Sequence, residues 1–227
     1  MPTLHFQVDG GGKLALDVQR LIIAGWTGRD AGAVRHHIRE LEAIGVRPPT
    51  VVPCFYPLAA SLLSTDDVLE VPRDDSSGEI EFVLLQGSAA QGLYIGVGSD
   101  HTDRKVEAYD VTVSKQMCGK PVGTGLWRFD EVADHWDALV MRCWRMRDGQ
   151  RELYQEGAVT SLLDPRELIR RLTGEDALPA GTAMFCGTQA VIGELGHGDA
   201  FEVELHDPVR QRTLRHAYRV HSLAVAA

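Results

Sequence analysis

The sequence predicts a β-rich α+β fold, and three observations predict it. Short segments with a period of two recur along most of the chain. Sustained 3.6-residue periodicity is confined to residues 31–44 and 164–172. Strands and helices do not alternate regularly, which excludes a doubly wound parallel sheet.

The elements follow in order. Leu4, Phe6 and Val8 alternate with polar neighbours, Gly10-Gly11-Gly12 is a turn, and Lys13 to Val18 alternates again, so a hairpin opens the chain. Leu21 to Ala24 is a short buried strand. Val34, Ile38, Leu41 and Ile44 share one helical face, with Gly45 as the stop and Pro48-Pro49 beyond it. Residues 51–58 and 68–72 read as extended, and the polar Arg73–Gly78 as a linker. Strands are expected at Glu79–Leu85, Leu93–Val97, Lys105–Ser114, Leu139–Arg145, Arg151–Glu156, Thr182–Gly187 and Phe201–Asp207. Phe129–Asp134 begins a short helix. A firmer one runs to Leu172, with Asp164 as N-cap and Pro165 at its first position.

At 227 residues the chain is one large domain, or one with a small appendage, and it can bury a full core without staples. The division expected is an N-terminal α/β segment with a lid helix at 1–72 and a β-rich catalytic domain at 73–227. Lys and Arg total 23 against 32 Asp and Glu, a net charge of −9, which argues against nucleic-acid or anionic-membrane partners. No secretory signal is expected at the N-terminus, and no apolar run approaches a membrane span. Cys54, Cys118, Cys143 and Cys186 are scattered, as free thiols in a reducing cytoplasm would be.

The chemistry concentrates in Gly78-Glu79-Ile80-Glu81-Phe82. On a strand Glu79 and Glu81 share a face, with Ile80 and Phe82 on the other. Two carboxylates there repel each other unless a hard cation lies between them. The alternative is a solvated strand face. Asp100, in the strand-end loop Ser99–Arg104, supplies a third carboxylate and completes an all-oxygen facial set suited to Mg²⁺ or Mn²⁺. Asp103 is the alternative third ligand. Lys115 ends a strand that reads Val-Thr-Val, where its ammonium could stabilise an oxyanion. His37 and Glu40, at i and i+3, share a helix face and form a candidate water-activating pair; the alternative is a solvated face. Cys118 has no base at motif spacing, so a thiol nucleophile is disfavoured.

These segments resemble the fumarylacetoacetate hydrolase family. The resemblance rests on Glu79-Ile80-Glu81, Ser99-Asp100 through Arg104, and Lys115 ahead of Pro121-Val122-Gly123. It continues through Tyr154-Gln155-Glu156-Gly157, Leu178-Pro179-Ala180-Gly181, Gly187-Thr188 through Gly193, and Gly198-Asp199. It spans roughly residues 20–207 and is closest to a subgroup apart from the enzymes that define the family. It implies a fold of mixed sheets with few helices. Glu79, Glu81 and Asp100 match the metal ligands, and Lys115 the lysine on the substrate oxyanion. Arg104 and Thr188 match substrate-side groups. The family's general base sits on an N-terminal lid helix, where His37-x-x-Glu40 is the candidate and Arg29 and Asp30 are runners-up. Two departures bear on substrate: Ser99 stands where the family has Asn, and Gln116-Met117-Cys118 follows the lysine.

The resemblance implies a metal-dependent hydrolase that cleaves a carbon–carbon bond in a small 2-oxo or 1,3-dicarbonyl acid, or decarboxylates it. Hydratase or isomerase chemistry on the same metal site is the alternative, and a non-catalytic ligand-binding descendant is a third reading. A homodimer is also expected, in keeping with the unalternating apolar run Leu139-Val140-Met141.

Overall fold

The computed structural model describes residues 3–43 and 48–225. Ile44 and Gly45, expected to close the first helix, lie outside the described residues.

The chain opens with a hairpin of β1 (Thr3–Val8) and β2 (Lys13–Asp17). Next come β3 (Arg20–Gly25), α1 (Ala31–Ala43), β4 (Cys54–Leu58), β5 (Leu63–Ser64), β6 (Val68–Pro72) and β7 (Ser76–Ser77). A second hairpin joins β8 (Ile80–Gln86) to β9 (Leu93–Ser99). Then follow β10 (Thr102–Asp103), α2 (Arg104–Glu107), α3 (Val111–Met117), β11 (Lys120–Pro121) and β12 (Gly125–Arg128). Two 3₁₀ segments, Phe129–Glu131 and Ala133–Ala138, lead into the hairpin β13 (Val140–Arg147) and β14 (Gln150–Ala158). Helix α4 (Pro165–Thr173) precedes β15 (Thr182–Phe185), β16 (Ala200–Asp207) and β17 (Arg212–Leu223). The strand-rich α+β fold expected from the sequence is therefore present, with Asp164 capping α4 through Arg166 N–H.

The strands form an eight-stranded sheet, ordered β2-β1-β12-β9-β8-β15-β3-β4, and a five-stranded one, ordered β14-β13-β16-β17-β6. The large sheet is mixed: β15 runs parallel to β3 and antiparallel to β8. Strands from before residue 72 form both edges of the eight-stranded sheet, and β6 forms one edge of the five-stranded sheet.

Alternation along β8 sends its side chains to two cores. Ile80, Phe82 and Leu84 join Met141, Phe201 and Val203 of the five-stranded sheet. Val83 and Leu85 join Phe6 and Leu14 of the first hairpin and Leu58 of β4. Glu81 lies on the Val83 and Leu85 side of β8 and is itself buried.

Two expectations need correction. The strand expected at Lys105–Ser114 is a pair of helices. Val111, Thr112 and Val113 alternate as a strand would, but Asp103 and Asp110 accept hydrogen bonds from Val106 and Val113 N–H and start α2 and α3. These N-caps outweigh the weak β preference of β-branched residues. Lys115 therefore stands on a helix and not at a strand end. The segment Arg73–Gly78 is also no linker: Ser76 and Ser77 are buried and pair with Asp103 and Thr102. Besides the two-residue strands β5, β7, β10 and β11, the strands β12 and β17 escaped the sequence reading. In β17 Arg215, His216 and Ala217 separate the buried Leu214 and Tyr218, so its apolar content is low although its alternation is regular.

Candidate metal centre and active site

The β8–β9 hairpin builds the centre. Its register pairs Ile80 with Ser99 and Glu81 with Gly98, and Asp100 N–H donates to the Glu79 carbonyl at 2.9 Å. The three acids are thereby brought to neighbouring positions at one end of two strands. Each offers a carboxylate oxygen, and these lie within 4.8 Å of one another. Glu81 and Asp100 are buried, and Glu79 is half-buried. Asp103 lies elsewhere, capping α2.

Basic groups surround these acids. Lys115 of α3 donates to Asp100 Oδ2 and lies 3.7 Å from Glu79 Oε2. Lys120 of β11 lies 2.8 Å from Asp100 Oδ1 and donates to the His101 carbonyl. Arg104 Nη2 lies 3.2 Å from Glu79 Oε1, Nη1 lies 2.7 Å from Glu107, and Nε donates to Ser77 at 2.7 Å. Burial favours the neutral form of Asp100, but Lys115 and Lys120 outweigh it and hold the carboxyl below its ordinary range. Burial also opposes the charge on Lys115, yet Asp100 and Glu79 keep its pKa above the usual lysine value. Glu81 goes the other way. Burial first, then Asp100, pushes it well above the carboxylate range, and Lys115 and the Gly187 N–H bond only partly offset this. A buried carboxylate in that condition is the one a cation would relieve. The donor set, three carboxylates and no sulfur, fits Mg²⁺ or Mn²⁺.

Gly187 shows how tightly the centre is assembled. Its φ is +108°, and a Cβ there would lie 1.8 Å from Thr27 Oγ1. Gly187→Ala should cost several kcal/mol, on the order of 3, because a clash and a strained φ coincide. Thermal unfolding would show it as a fall in Tm, partly restored by adding Thr27→Ala. An unchanged Tm would mean that the loop is free to move.

Behind the ligands lies a buried polar network. Glu79 N–H and the Tyr218 hydroxyl both donate to Ser99 Oγ, at 3.0 and 2.8 Å. His101 Nδ1 lies 3.0 Å from the Tyr218 oxygen and Nε2 lies 2.9 Å from Ser76 Oγ. With the tyrosine proton given to Ser99, Nδ1 must donate to the Tyr218 oxygen, and in a neutral ring Nε2 then accepts from Ser76. Burial, then Lys120, keeps its pKa well below the usual histidine value. Gln155 spans the site: Oε1 accepts from Ile80 N–H at 2.9 Å, and Nε2 donates to Thr188 Oγ1 at 2.8 Å.

His37 and Glu40 lie on α1, but their side chains are outside the described residues. Arg29 is bonded to Asp137 through both terminal nitrogens, and Asp30 caps the start of α1 through Gly32 and Ala33 N–H. Burial raises the Cys118 thiol to about 11, unlike a poised nucleophile. Lys120, Gln155, His101 and Tyr56 were not anticipated as site residues. The Tyr56 phenol hydrogen-bonds with Trp26 and Cys54 and lies within electrostatic reach of Lys115; burial pushes it up to about 12. Tertiary contacts bring in Lys120, Gln155 and Tyr56, which no local spacing marks, whereas His101 follows Asp100 directly in the chain.

The model of a family described as "Protein of unknown function (DUF2848)" matches residues 24–218. The chain belongs to this family. No curated protein matches the DUF2848 chain in sequence. Its fold is fumarylacetoacetate-hydrolase-like, as three solved structures show. Yeast ynq8, a fumarylacetoacetate hydrolase family protein, is 16% identical with a TM-score of 0.63, over 92% of this chain and 95% of its own. Cg1458 is 14% identical with a TM-score of 0.64, over 93% and 80%. 2-Keto-3-deoxy-D-arabinonate dehydratase, complexed with magnesium and 2,5-dioxopentanoate, is 19% identical with a TM-score of 0.59, over 94% and 78%. Among the described residues of the DUF2848 chain no helix is long and apolar enough to cross a membrane.

Proposed function

We propose that this protein is a divalent-metal-dependent enzyme acting on a small 2-oxo or 1,3-dicarbonyl acid. The observation that carries the reading is the convergence of Glu79, Glu81 and Asp100 within 4.8 Å beside the Lys115 ammonium. A fold neighbour complexed with magnesium and a dioxo acid supports it.

Glu79, Glu81 and Asp100 would hold Mg²⁺ or Mn²⁺, which supplies Lewis-acid polarisation of the substrate's oxygens. Lys115 is placed to meet negative charge that grows on a substrate oxygen as a carbon–carbon bond breaks. His37, oriented by Glu40, is the proposed base for the attacking water. Arg104 and Thr188 are the proposed substrate-side polar groups. Arg104 acts there while sharing its guanidinium with Ser77, Glu79 and Glu107. Hydrolytic carbon–carbon cleavage, or decarboxylation, is the first reading of the reaction. Dehydration, hydration or isomerisation is the second, favoured by the dehydratase among the fold neighbours. The polarised 2-oxo acid and the lysine serve both.

Titration with Mn²⁺, followed by assay of the loaded protein on a panel of acylpyruvates and 3-deoxy-2-oxo acids, tests the reading. Pyruvate release would identify the cleavage reaction, and loss of water without carbon–carbon cleavage the second one. Absence of divalent-cation binding would remove the whole proposal. The homodimer is proposed with it, and sedimentation velocity would show a species of twice the chain mass at all working concentrations.

A further inference from the structure

Each of the three carboxylates has one oxygen held by a group other than Lys115. Arg104 Nη2 stands 3.2 Å from Glu79 Oε1. Gly187 N–H donates to Glu81 Oε2 at 2.6 Å. Lys120 Nζ stands 2.8 Å from Asp100 Oδ1, which Thr102 Oγ1 also approaches at 3.4 Å. The remaining oxygens are Glu79 Oε2, Glu81 Oε1 and Asp100 Oδ2. Lys115, whose side chain is slightly exposed, contacts two of these three, Asp100 Oδ2 and Glu79 Oε2.

The tie on Asp100 is the least yielding. Both side chains of the Lys120–Asp100 pair are 0% exposed. Lys120 also donates to the His101 carbonyl, and its backbone pairs with Leu63 in β5. Releasing Oδ1 would strand a buried ammonium with one neutral acceptor, which is strongly unfavourable.

We propose that Lys120 is a metal-selectivity residue: by holding Asp100 Oδ1 it confines Asp100 to ligation through one oxygen and disfavours Ca²⁺. The inference rests on the metal-enzyme reading above. Mg²⁺ and Mn²⁺ accept six oxygen positions, so three one-oxygen carboxylates form half a shell and leave the rest to water and substrate. Ca²⁺ takes six to eight oxygens and often gains them from a carboxylate that turns both of its oxygens inward. Lys120 denies Asp100 that second oxygen. Arg104 acts likewise on Glu79, but its guanidinium lies partly exposed and has Ser77 and Glu107 as further partners.

The test compares Mn²⁺ and Ca²⁺ affinities by titration calorimetry in wild type and Lys120→Met, which keeps the buried stem and deletes the ammonium. Losing a positive charge would by itself tighten both ions alike, since both are divalent, so the ratio of affinities isolates the number of oxygens offered. The wild type should prefer Mn²⁺, and Lys120→Met should lower that preference by about tenfold or more. Where Lys120→Met does not fold, Arg104→Gln frees Glu79 Oε1 and should move the ratio in the same direction. Equal Mn²⁺ and Ca²⁺ affinities in the wild type overturn the inference, as does a ratio within about twofold of wild type in a folded variant. Both results leave the metal-enzyme reading standing. A wild type that binds neither ion overturns that reading and this inference with it.

Discussion

Replacing Lys115 with methionine is expected to lower turnover of a 2-oxo acid by a factor on the order of 10²–10³, the usual loss when one oxyanion donor is removed. The ammonium lies against Asp100 and 3.7 Å from Glu79, at the open side of the carboxylate cluster. Helix α3 holds its Cα, because Asp110 caps the helix and Ser114 is buried beside it. An ammonium donates hydrogen bonds and cannot ligate a cation. Mn²⁺ affinity should therefore stay equal or tighten, since a positive charge leaves the neighbourhood of the ligands. Steady-state kinetics with parallel calorimetry separates these effects. A rate within about twofold of wild type would exclude Lys115 from the mechanism and direct attention to Arg104. Loss of Mn²⁺ binding would show instead that the lysine holds the carboxylates in place.

Glu81→Gln should give opposite results with and without metal. In the folded chain burial and then Asp100 raise the Glu81 pKa well above its ordinary value. Between the unfolded and folded pKa values the native state binds more protons, so stability falls as pH climbs through that window, and the full penalty persists above it. Glutamine has no charge to bury and can still accept the Gly187 N–H bond. The metal-free variant should therefore melt above wild type at neutral pH, with the advantage shrinking as pH falls towards the unfolded carboxyl range. With Mn²⁺ at about 100 times its Kd, wild type should gain about 2.7 kcal/mol and the variant almost nothing, which reverses the order. Scanning calorimetry with and without Mn²⁺ reads both. Equal metal-induced shifts would exclude Glu81 as a ligand. A metal-free variant melting below wild type would show that the charge is already compensated. The carboxylate repulsion that reaches Glu81 comes first from Asp100, and burial exceeds it.

The three acids were legible because their chemistry is local. Glu79 and Glu81 are two residues apart on a strand, and Asp100 follows the next strand of the same hairpin, so period-two geometry and one turn bring them together. The cap and first-position proline of α4 were legible for the same reason. Lys120 was not. It lies near Lys115 in a segment read for its cysteine, and only the pairing of β11 with β5 carries its ammonium to Asp100. Val111-Thr112-Val113 misled because alternation is a weak signal over three residues, and a single Asp110 cap reverses it. Ser76 and Ser77 read as linker because small polar residues carry no periodicity; their burial follows from β10 and from His101.

The amino-acid sequence by itself determined the β-rich class, the opening hairpin, the first helix and the identity of the three acids, since each depends on side chains close to one another along the chain. Tertiary structure decided the direction in which Glu81 and Asp100 are shifted, and which protein groups hold the carboxylate oxygens. Ionisation of a buried carboxylate depends on which cations the fold brings within a few ångströms. Here those cations, Arg104, Lys115 and Lys120, come from α2, α3 and β11, and the backbone N–H on Glu81 comes from the loop after β15.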